Sequence, residues 1–284
     1  MIEVKIRGVY LNGVKALREV ELVLGPGLYL LLGRSGSGKS TLGKVVTGVI
    51  PHVERAEVDG TVKVFGADVL KTDIYKLNKI AAYLAQSPYD QVMASKVLDE
   101  LLLVAENVGR DAADVYKIAS RLGIDRLLER RIEELSGGQV QKVAIAKVML
   151  TGAKLVVLDE PLAHLDVESA RAVLQDLAML KKEGKTILLI EHRFGDLKPV
   201  LPYVDGVALL DGGRLVKFYR GEPDVWLLKQ HGVRIESRIE RKERGLPGEV
   251  KVVVKDVWFS YGKADVLKGI SLELRSGVVY ALMG

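Results

Sequence analysis

The stretch GRSGSGKS, residues 33–40, lies between the apolar run GLYLLL and the helical pattern KSTLGKVVTGV. A glycine-rich turn between a buried strand and a helix, with this spacing, is typical of a phosphate-binding loop. Glycines let the backbone wrap closely, so that successive N–H groups and the helix N-terminus face a polyanion. We expect Lys39 to reach the β- and γ-phosphates of a nucleotide and the Ser40 hydroxyl to bind Mg²⁺.

Two further motifs indicate phosphate chemistry. The pentapeptide LSGGQ, residues 135–139, precedes a long amphipathic helix, and Ser136 with its glycines forms a second arrangement suited to an anion. The segment KLVVLDEPLAHLD places Asp159 and Glu160 at the end of a buried strand. An acidic pair there can simply end a strand, but after a phosphate loop it has a chemical role. We expect Asp159 to orient Mg²⁺ and Glu160 to polarise the attacking water.

Composition limits the class of protein. Of 284 residues, 48% are apolar and 28% charged, as in a globular protein with a core, and no apolar run approaches the roughly 18–20 residues that cross a bilayer. The absence of cysteine excludes disulfides, iron–sulfur clusters and cysteine-ligated zinc. The net charge of +5 is spread along the chain, which favours a solvated surface over binding of a polyanion or an anionic membrane surface. The alternating N-terminus predicts a strand and not a signal peptide, so we expect a cytoplasmic protein.

Short continuous apolar runs indicate a parallel sheet. LYLLL, LVVLD, TILLIE and DGVALLD have the length and composition of strands covered on both faces. Apolar spacings of three and four over about 92–135 predict an inserted α-helical subdomain. We therefore predict the α/β class, with a P-loop NTPase (RecA-like) core, a mostly parallel sheet, an antiparallel β-subdomain and the helical insert.

A repeated segment suggests a second domain. ALREVELVLGPGLYLLLG, residues 16–33, matches VLKGISLELRSGVVYALMG, residues 266–284, and both predict strand, turn and strand. We expect a first domain over 1–230, a linker over 231–249 and the truncated start of a second copy over 250–284. The linker contains the basic run RIERKER, whose interleaved Glu residues favour a solvated face over binding to lipid or nucleic acid.

In the order of its motifs the chain resembles the ATP-binding-cassette (ABC) ATPases, over residues 1 to about 230. Gln86 in AQSPYD matches the loop glutamine that senses Mg²⁺ and the partner subunit, and His192 in LLIEHRF matches the histidine that contacts the γ-phosphate. Asp166 in AHLD matches the aspartate of the loop that joins two sites. The resemblance therefore implies an ATPase that uses ATP and Mg²⁺.

The residue that stacks on adenine has two candidates, Tyr10 and Leu11. Tyr10 is the aromatic residue of the first copy, as Tyr261 is of the second. Its spacing to Leu17 differs by one from that between Tyr261 and Leu267, so Leu11 competes for the same place.

The resemblance assigns the other roles residue by residue. Catalytic roles fall on Lys39, Gln86, Glu160 and His192, and the Mg²⁺ ligands are Ser40, Gln86 and Asp159. The nucleotide contacts are Tyr10, Gly33, Arg34, Ser35, Gly36, Ser37, Gly38, Lys39, Ser40, Thr41, Ser136, Gly137, Gly138, Gln139 and Asp166. Two positions depart from the family's pattern: Lys142 replaces an arginine, and Ala163–His164 replaces Ser-Ala. The charge of the first and the following aspartate are kept, so we expect activity to survive both changes.

The resemblance also implies partners. In this family the phosphate loop of one cassette is capped by the serine–glycine motif of a second, head to tail. Gln86, Pro88 and Gln91 in QSPYDQ resemble the Q-x-P-x-x-Q of energy-coupling-factor (ECF) ATPases, which drive uptake of vitamins and transition-metal ions. We expect a peripheral subunit on the cytoplasmic face of the membrane, bound to a transmembrane partner and not to nucleic acid. The alternative is a soluble tandem ATPase acting on the ribosome or nucleic acid.

Overall fold

The computed structural model describes residues 1–163, 165, 167–235, 248–260 and 265–280, in two compact units, Met1–Glu236 and Ser237–Gly284. The strands are β1 (Ile2–Leu11), β2 (Val14–Leu24), β3 (Gly27–Leu32), β4 (Glu57–Val64), β5 (Ala67–Asp68), β6 (Ala81–Leu84), β7 (Leu155–Asp159), β8 (Thr186–Glu191), β9 (Gly206–Asp211), β10 (Arg214–Tyr219), β11 (Val250–Ser260) and β12 (Asp265–Arg275). The α-helices are α1 (Lys39–Thr47), α2 (Val49–His52), α3 (Ile74–Leu77), α4 (Val97–Asn107), α5 (Ala112–Arg121), α6 (Gly137–Leu150), α7 (Val167–Lys182) and α8 (Val225–Gln230).

The first unit contains two sheets. The larger has the strand order β10-β9-β3-β8-β7-β6 and is parallel except for β10, which pairs antiparallel with β9. The smaller is antiparallel, in the order β2-β1-β4-β5. Strands separated in sequence by helices thus meet side by side, as helical crossovers require. The predicted α/β class with a mostly parallel sheet and an antiparallel subdomain is confirmed.

The core lies on both faces of the larger sheet, which explains why its strands read as continuous apolar runs. In β3, Leu28, Leu30 and Leu32 pack with residues of α4, α6 and α7 on one face. Tyr29 and Leu31 pack on the other face with α1 and the antiparallel sheet. The six residues of β3 are therefore buried, and the strand delivers the following glycine to a fixed point at the sheet edge.

Two helices, α4 and α5, lie between β6 and α6 within the range where the sequence predicts a helical insert. Asp111 begins α5 by accepting a hydrogen bond from the Asp114 N–H, which satisfies one free donor of the first turn. Across the described residues, no helix has the length and apolarity needed to span a membrane.

The second unit contains one antiparallel hairpin, β11–β12. Val254 pairs with Leu272, as Val4 pairs with Leu22 in the first unit, so the two hairpins share a register over this part of the repeat. Phe259 pairs with Leu267, as Val9 pairs with Leu17. Counting on from these pairs, position 261 corresponds to Leu11 and Ser260 to Tyr10. Tyr261 itself lies outside the described residues.

Candidate active site

The predicted phosphate loop lies at the carboxyl end of β3, where α1 begins. Gly33 is pressed against β9, because a Cβ there would lie 2.2 Å from the Leu210 carbonyl oxygen. Gly38 precedes the helix with φ = +98°, and a Cβ on it would lie 2.7 Å from Cδ2 of Leu17. Both positions need glycine on steric grounds. The loop is thereby held between the two sheets, with its helix N-terminus free to face an anion.

Lys39 is buried inside this loop, with 5% of its surface exposed. Its Nζ donates hydrogen bonds of 2.9 Å to the carbonyl oxygens of Gly33 and Arg34. Burial lowers the pKa of Lys39, while the neighbouring carboxylates of Glu160, Asp159 and Glu191 act in the opposite direction. An ammonium group held by two carbonyls at the loop is placed to exchange one of them for a phosphate oxygen.

The side chains of Gln86 and His192 both contact the carboxylate of Glu160. Oε2 of Glu160 accepts a hydrogen bond of 2.9 Å from Nε2 of Gln86, and its Oε1 lies 2.9 Å from Nδ1 of His192. These residues follow β6, β7 and β8, three neighbours in the sheet, at their carboxyl ends. The structure thus joins three predicted site residues that are up to 106 positions apart in sequence (192 − 86).

Glu160 adopts a strained backbone conformation. Its φ is +49°, a left-handed value that costs a residue with a Cβ about 1–2 kcal/mol. Its N–H donates to the Ile190 carbonyl oxygen at 3.0 Å, which ties the turn to β8. Such strain at a candidate catalytic residue is characteristic of functional sites, because the surrounding fold must hold the side chain in place.

Oxygen ligands for a hard cation lie beside the loop. Ser40, Gln86 and Asp159 line one pocket of about 360 Å³ together with Tyr83. Asp159 is buried, and its Oδ2 accepts a 2.7 Å hydrogen bond from the Tyr83 hydroxyl. In the described part of the chain, no group of three or more His, Cys, Asp or Glu side chains is arranged to hold a metal ion by itself. A few oxygen ligands next to a phosphate site suit Mg²⁺, which commonly binds one or two carboxylates and substrate phosphates.

Comparison with known proteins decides the family. The ABC transporter family profile matches residues 17–163, which contain the phosphate loop, Gln86, the LSGGQ motif and the acidic pair. The chain belongs to the ATP-binding-cassette family. A relative in Pyrococcus abyssi, named as an ABC transporter ATP-binding protein, is 35% identical over 246 residues, which are 81% of this chain and 86% of that protein. The prediction of an ABC-type ATPase cassette is confirmed.

Longer relatives and a solved structure extend the comparison. A Saccharolobus solfataricus protein with the same kind of name is 33% identical over 90% of this chain and 53% of its own length. The chain spans about half the length of the first curated relatives it matches. The structure of cbiO1 from Clostridium perfringens, described as part of the ABC transporter complex cbiONQ, is 26% identical with a TM-score of 0.65. The match covers 77% of this chain and 88% of the cbiO1 chain.

The LSGGQ motif of the cassette caps its own helix. Ser136 precedes α6, its Oγ accepts from the Gln139 N–H at 3.4 Å, and its N–H donates to Gln139 Oε1 at 3.0 Å. Ser136 is exposed and Gln139 is half-buried. Among the described residues, no hydrogen bond connects Ser136 to the phosphate loop of the same chain. The exposed Ser136 thus lies at the N-terminus of α6, an arrangement suited to an anion.

The remaining predicted nucleotide contacts are Tyr10 and Asp166. Tyr10, one residue before the end of β1, pairs with Lys15, whose Nζ lies 5.3 Å from the centroid of the Tyr10 ring. This is a cation–π contact, and it does not show whether Tyr10 or Leu11 stacks on adenine. The adenine contact therefore stays a prediction. Asp166 and His164 lie outside the residues that the structure describes.

Two residues near the cassette's active site escaped prediction from sequence. The Tyr83 hydroxyl donates a hydrogen bond to Asp159, and burial, followed by the Asp159 carboxylate, raises the pKa of that hydroxyl. Glu191 is the last residue of β8 and is 3% exposed. Tyr83 is an ordinary strand residue in sequence, so nothing marks it. A carboxylate ending the apolar run TILLIE, directly before His192, is a signal that could have found Glu191.

Proposed function

We propose that this cassette binds and hydrolyses ATP to power an ABC importer of the ECF type, for a vitamin or a transition-metal ion. The observation that carries this is the loop after β6: its Gln86 hydrogen bonds to Glu160, and a few residues later it exposes apolar side chains. The loop after β6 would then connect the Glu160 carboxylate to a docking surface. The likeness to cbiO1, part of a transporter complex, supports the same class.

We assign the catalytic roles from these contacts together with the family resemblance. Lys39 binds the β- and γ-phosphates, with the N-terminus of α1 behind it. Glu160 accepts a proton from the attacking water, and His192 and Gln86 fix that carboxylate in position. Ser40, Asp159 and the Oε1 atom of Gln86 would hold Mg²⁺, which when bound neutralises charge on the phosphate oxygens. Positioning and charge neutralisation therefore account for the catalysis.

A second cassette completes each site. The N–H groups of Ser136 and Gln139 bond within the motif, whereas those of Gly137 and Gly138, in the first turn of α6, have no hydrogen bond among the described residues. We infer that they cap the γ-phosphate on the phosphate loop of a second cassette, head to tail, with Asp166 at the joining loop. The rate of ATP hydrolysis per chain should therefore rise with protein concentration.

The docking surface is formed by residues 86–94. Within it, Tyr89 and Met93 are exposed. The buried Glu100 carboxylate anchors the end of the loop by accepting from the N–H groups of Met93 at 2.8 Å and Ala94 at 2.6 Å. An exposed apolar loop fixed from beneath is suited to a short amphipathic helix of a transmembrane partner. The cassette would then lie on the cytoplasmic face of the membrane.

The anchor of this loop also reaches the helix that begins at the LSGGQ motif. Nζ of Lys147, in α6, binds both the Glu100 carboxylate and the Gln91 carbonyl oxygen. The side chain of Gln91 folds back, accepting from the Ala85 N–H and donating to the Tyr83 carbonyl, both at 3.3 Å. The second glutamine of the ECF-like motif thus shapes the loop that carries the first.

The domain organisation we propose is a cassette over 1–230, a linker over 231–249 and, from 250, the opening strands of a second cassette. The internal repeat and the shared register of the two hairpins support this. The relatives of about twice this length are consistent with a tandem protein.

A cross-linking experiment tests the importer. We expect a photoactivatable probe on Met93→Cys in the native complex to capture a membrane subunit, because Met93 is 64% exposed on the docking surface. Val53→Cys, 68% exposed after α2, is the matched control and should capture none. Capture of ribosomal protein from Met93→Cys, with no membrane subunit, would instead establish the soluble tandem ATPase.

A further inference from the structure

Glu191 occupies an unusual place for a carboxylate. It ends β8 beside Leu32 of β3, the residue directly before the phosphate loop, and is 3% exposed. Its Oε1 is buried and has no hydrogen-bond partner among the described residues. An unpaired buried polar atom costs about 1–3 kcal/mol, so its retention needs a reason.

Glu191 neighbours two segments that hold Glu160: the turn that follows Glu160 and the backbone of His192. The backbone N–H groups of Leu162 and His192 lie near the Glu191 carboxylate and favour its charged form, which opposes the effect of burial on its pKa. Leu162 is two residues after Glu160, in the turn that holds the strained glutamate backbone. His192 carries the ring that binds Glu160 Oε1. The Glu191 side chain thus lies between the turn that carries the Glu160 carboxylate and the backbone of His192.

We propose that Glu191 is a positioning residue for ATP hydrolysis, which holds the Glu160 turn and His192 in register so that the Glu160 carboxylate faces the attacking water. The inference rests on the hydrolysis proposed above. Glu191 contacts neither nucleotide nor water in this role and acts through Glu160 and His192.

The charge of Glu191 fits this role. Burial, and then the nearby Glu160 carboxylate, raise its pKa to about 8. Three charged groups face it from the described residues: Glu160 after β7, Lys39 of α1 and Arg193, two residues further along the chain. The titratable His192 is the next residue in sequence. At neutral pH Glu191 is therefore mostly protonated, and Glu160 carries the negative charge of the pair. Ionisation of Glu191 adds a second negative charge near the site of the γ-phosphate.

Three variants test the proposal through steady-state ATPase rates. We expect Glu191→Ala to lower kcat roughly 10- to 100-fold while KM changes little, since the lost contacts orient Glu160 and not ATP. Glu191→Gln should restore most of kcat at pH 7, because its amide oxygen can accept the same N–H groups and it is neutral. Thr186→Val is the matched control: Thr186 is buried at the other end of β8, where its hydroxyl donates to the Gly25 carbonyl at 3.2 Å. It should lower the melting temperature and leave kcat unchanged.

The pH profile separates positioning from a general loss of structure. Between pH 7 and pH 9 the kcat/KM of the wild type should fall relative to that of Glu191→Gln by about tenfold, as a group with a pKa near 8 ionises in the free enzyme. Other titrating groups are common to both proteins and cancel in the ratio. A Glu191→Ala enzyme with wild-type kcat, a Gln variant no better than Ala, or a ratio independent of pH would overturn the proposal. A wild-type protein that binds ATP without hydrolysing it would overturn the proposed function as well.

Discussion

The hairpin β1–β2 and the hairpin β11–β12 share a sequence pattern and differ in their surroundings. Leu17 and Val20 of the first are buried, at 0% and 1% exposure, whereas their counterparts Leu267 and Ile270 are 38% and 40% exposed. Both hairpins form the same antiparallel pairing over much of their length. The apolar alternation is therefore enough to specify a hairpin, but its burial depends on elements that come later in the chain.

In the first unit, three later elements cover the hairpin. β4 pairs with the free edge of β1, and residues of β3 and α1 pack beneath the sheet, including Leu31 and Leu42. The same α1 begins at the phosphate loop, so the elements that bury the first hairpin also form the nucleotide site. Within the described residues, the second hairpin has neither an added strand nor a phosphate loop. The two hairpins should accordingly differ in nucleotide binding, stability and exposure.

Nucleotide stoichiometry should show the largest difference. In a Glu160→Gln background, which we expect to bind ATP without turnover, calorimetry should give one ATP per chain. Adding Lys39→Ala should abolish that binding, because the ammonium buried in the first loop is the group that meets the β- and γ-phosphates. Residual binding of one nucleotide per chain in the double variant would mean that residues 250–284 contribute a site, and the contrast between the hairpins would break down.

Matched core substitutions should show the next largest difference. Leu17→Ala removes a fully buried side chain whose Cδ2 lies beside Gly38, so we expect a loss of about 2–5 kcal/mol in the free energy of unfolding. Leu267→Ala, at the equivalent and half-exposed position, should cost less than about 0.5 kcal/mol. Urea unfolding monitored by far-ultraviolet circular dichroism measures both. Equal losses would show that the second hairpin is buried as deeply as the first.

The sequence predicts the local parts of this site better than its assembly. The phosphate loop, the strand ending at Asp159 and the helix start at Ser136 follow from short-range patterns of glycines, apolar runs and capping residues. The meeting of Gln86, Glu160 and His192 depends on β6, β7 and β8 being neighbours, and no local pattern encodes that order. The roles of Gln86 and His192 were predicted from the resemblance to the ABC family and not from a local sequence pattern.

Residues inside apolar runs were the hardest to predict. Glu191 and Tyr83 end or interrupt strands whose other residues are buried, and their roles depend on partners from distant segments. The adenine contact stays open for a different reason. The repeat places Tyr10 and Tyr261 one position apart relative to the paired leucines, so the alignment of the two copies does not choose between Tyr10 and Leu11.

The exposure of the second hairpin should produce the smallest effect, which tryptophan fluorescence can detect. The chain has two tryptophans, Trp226 in α8 and Trp258 in β11, so Trp226→Phe leaves Trp258 as the single reporter. Trp258 is 58% exposed, and its Nε1 donates to Asp256 Oδ1 at 2.8 Å within its own strand. We expect acrylamide to quench it nearly as well as a short tryptophan peptide, and ATP to leave its emission unchanged. Trp258→Phe, which leaves Trp226, gives the matched spectrum from the first unit.

Poor quenching that improves on dilution would reveal a second copy of the chain covering β11–β12, because unpaired strand edges and exposed apolar faces favour such pairing. Poor quenching that persists on dilution would show that the chain itself buries this hairpin, and the contrast with β1–β2 would then be wrong.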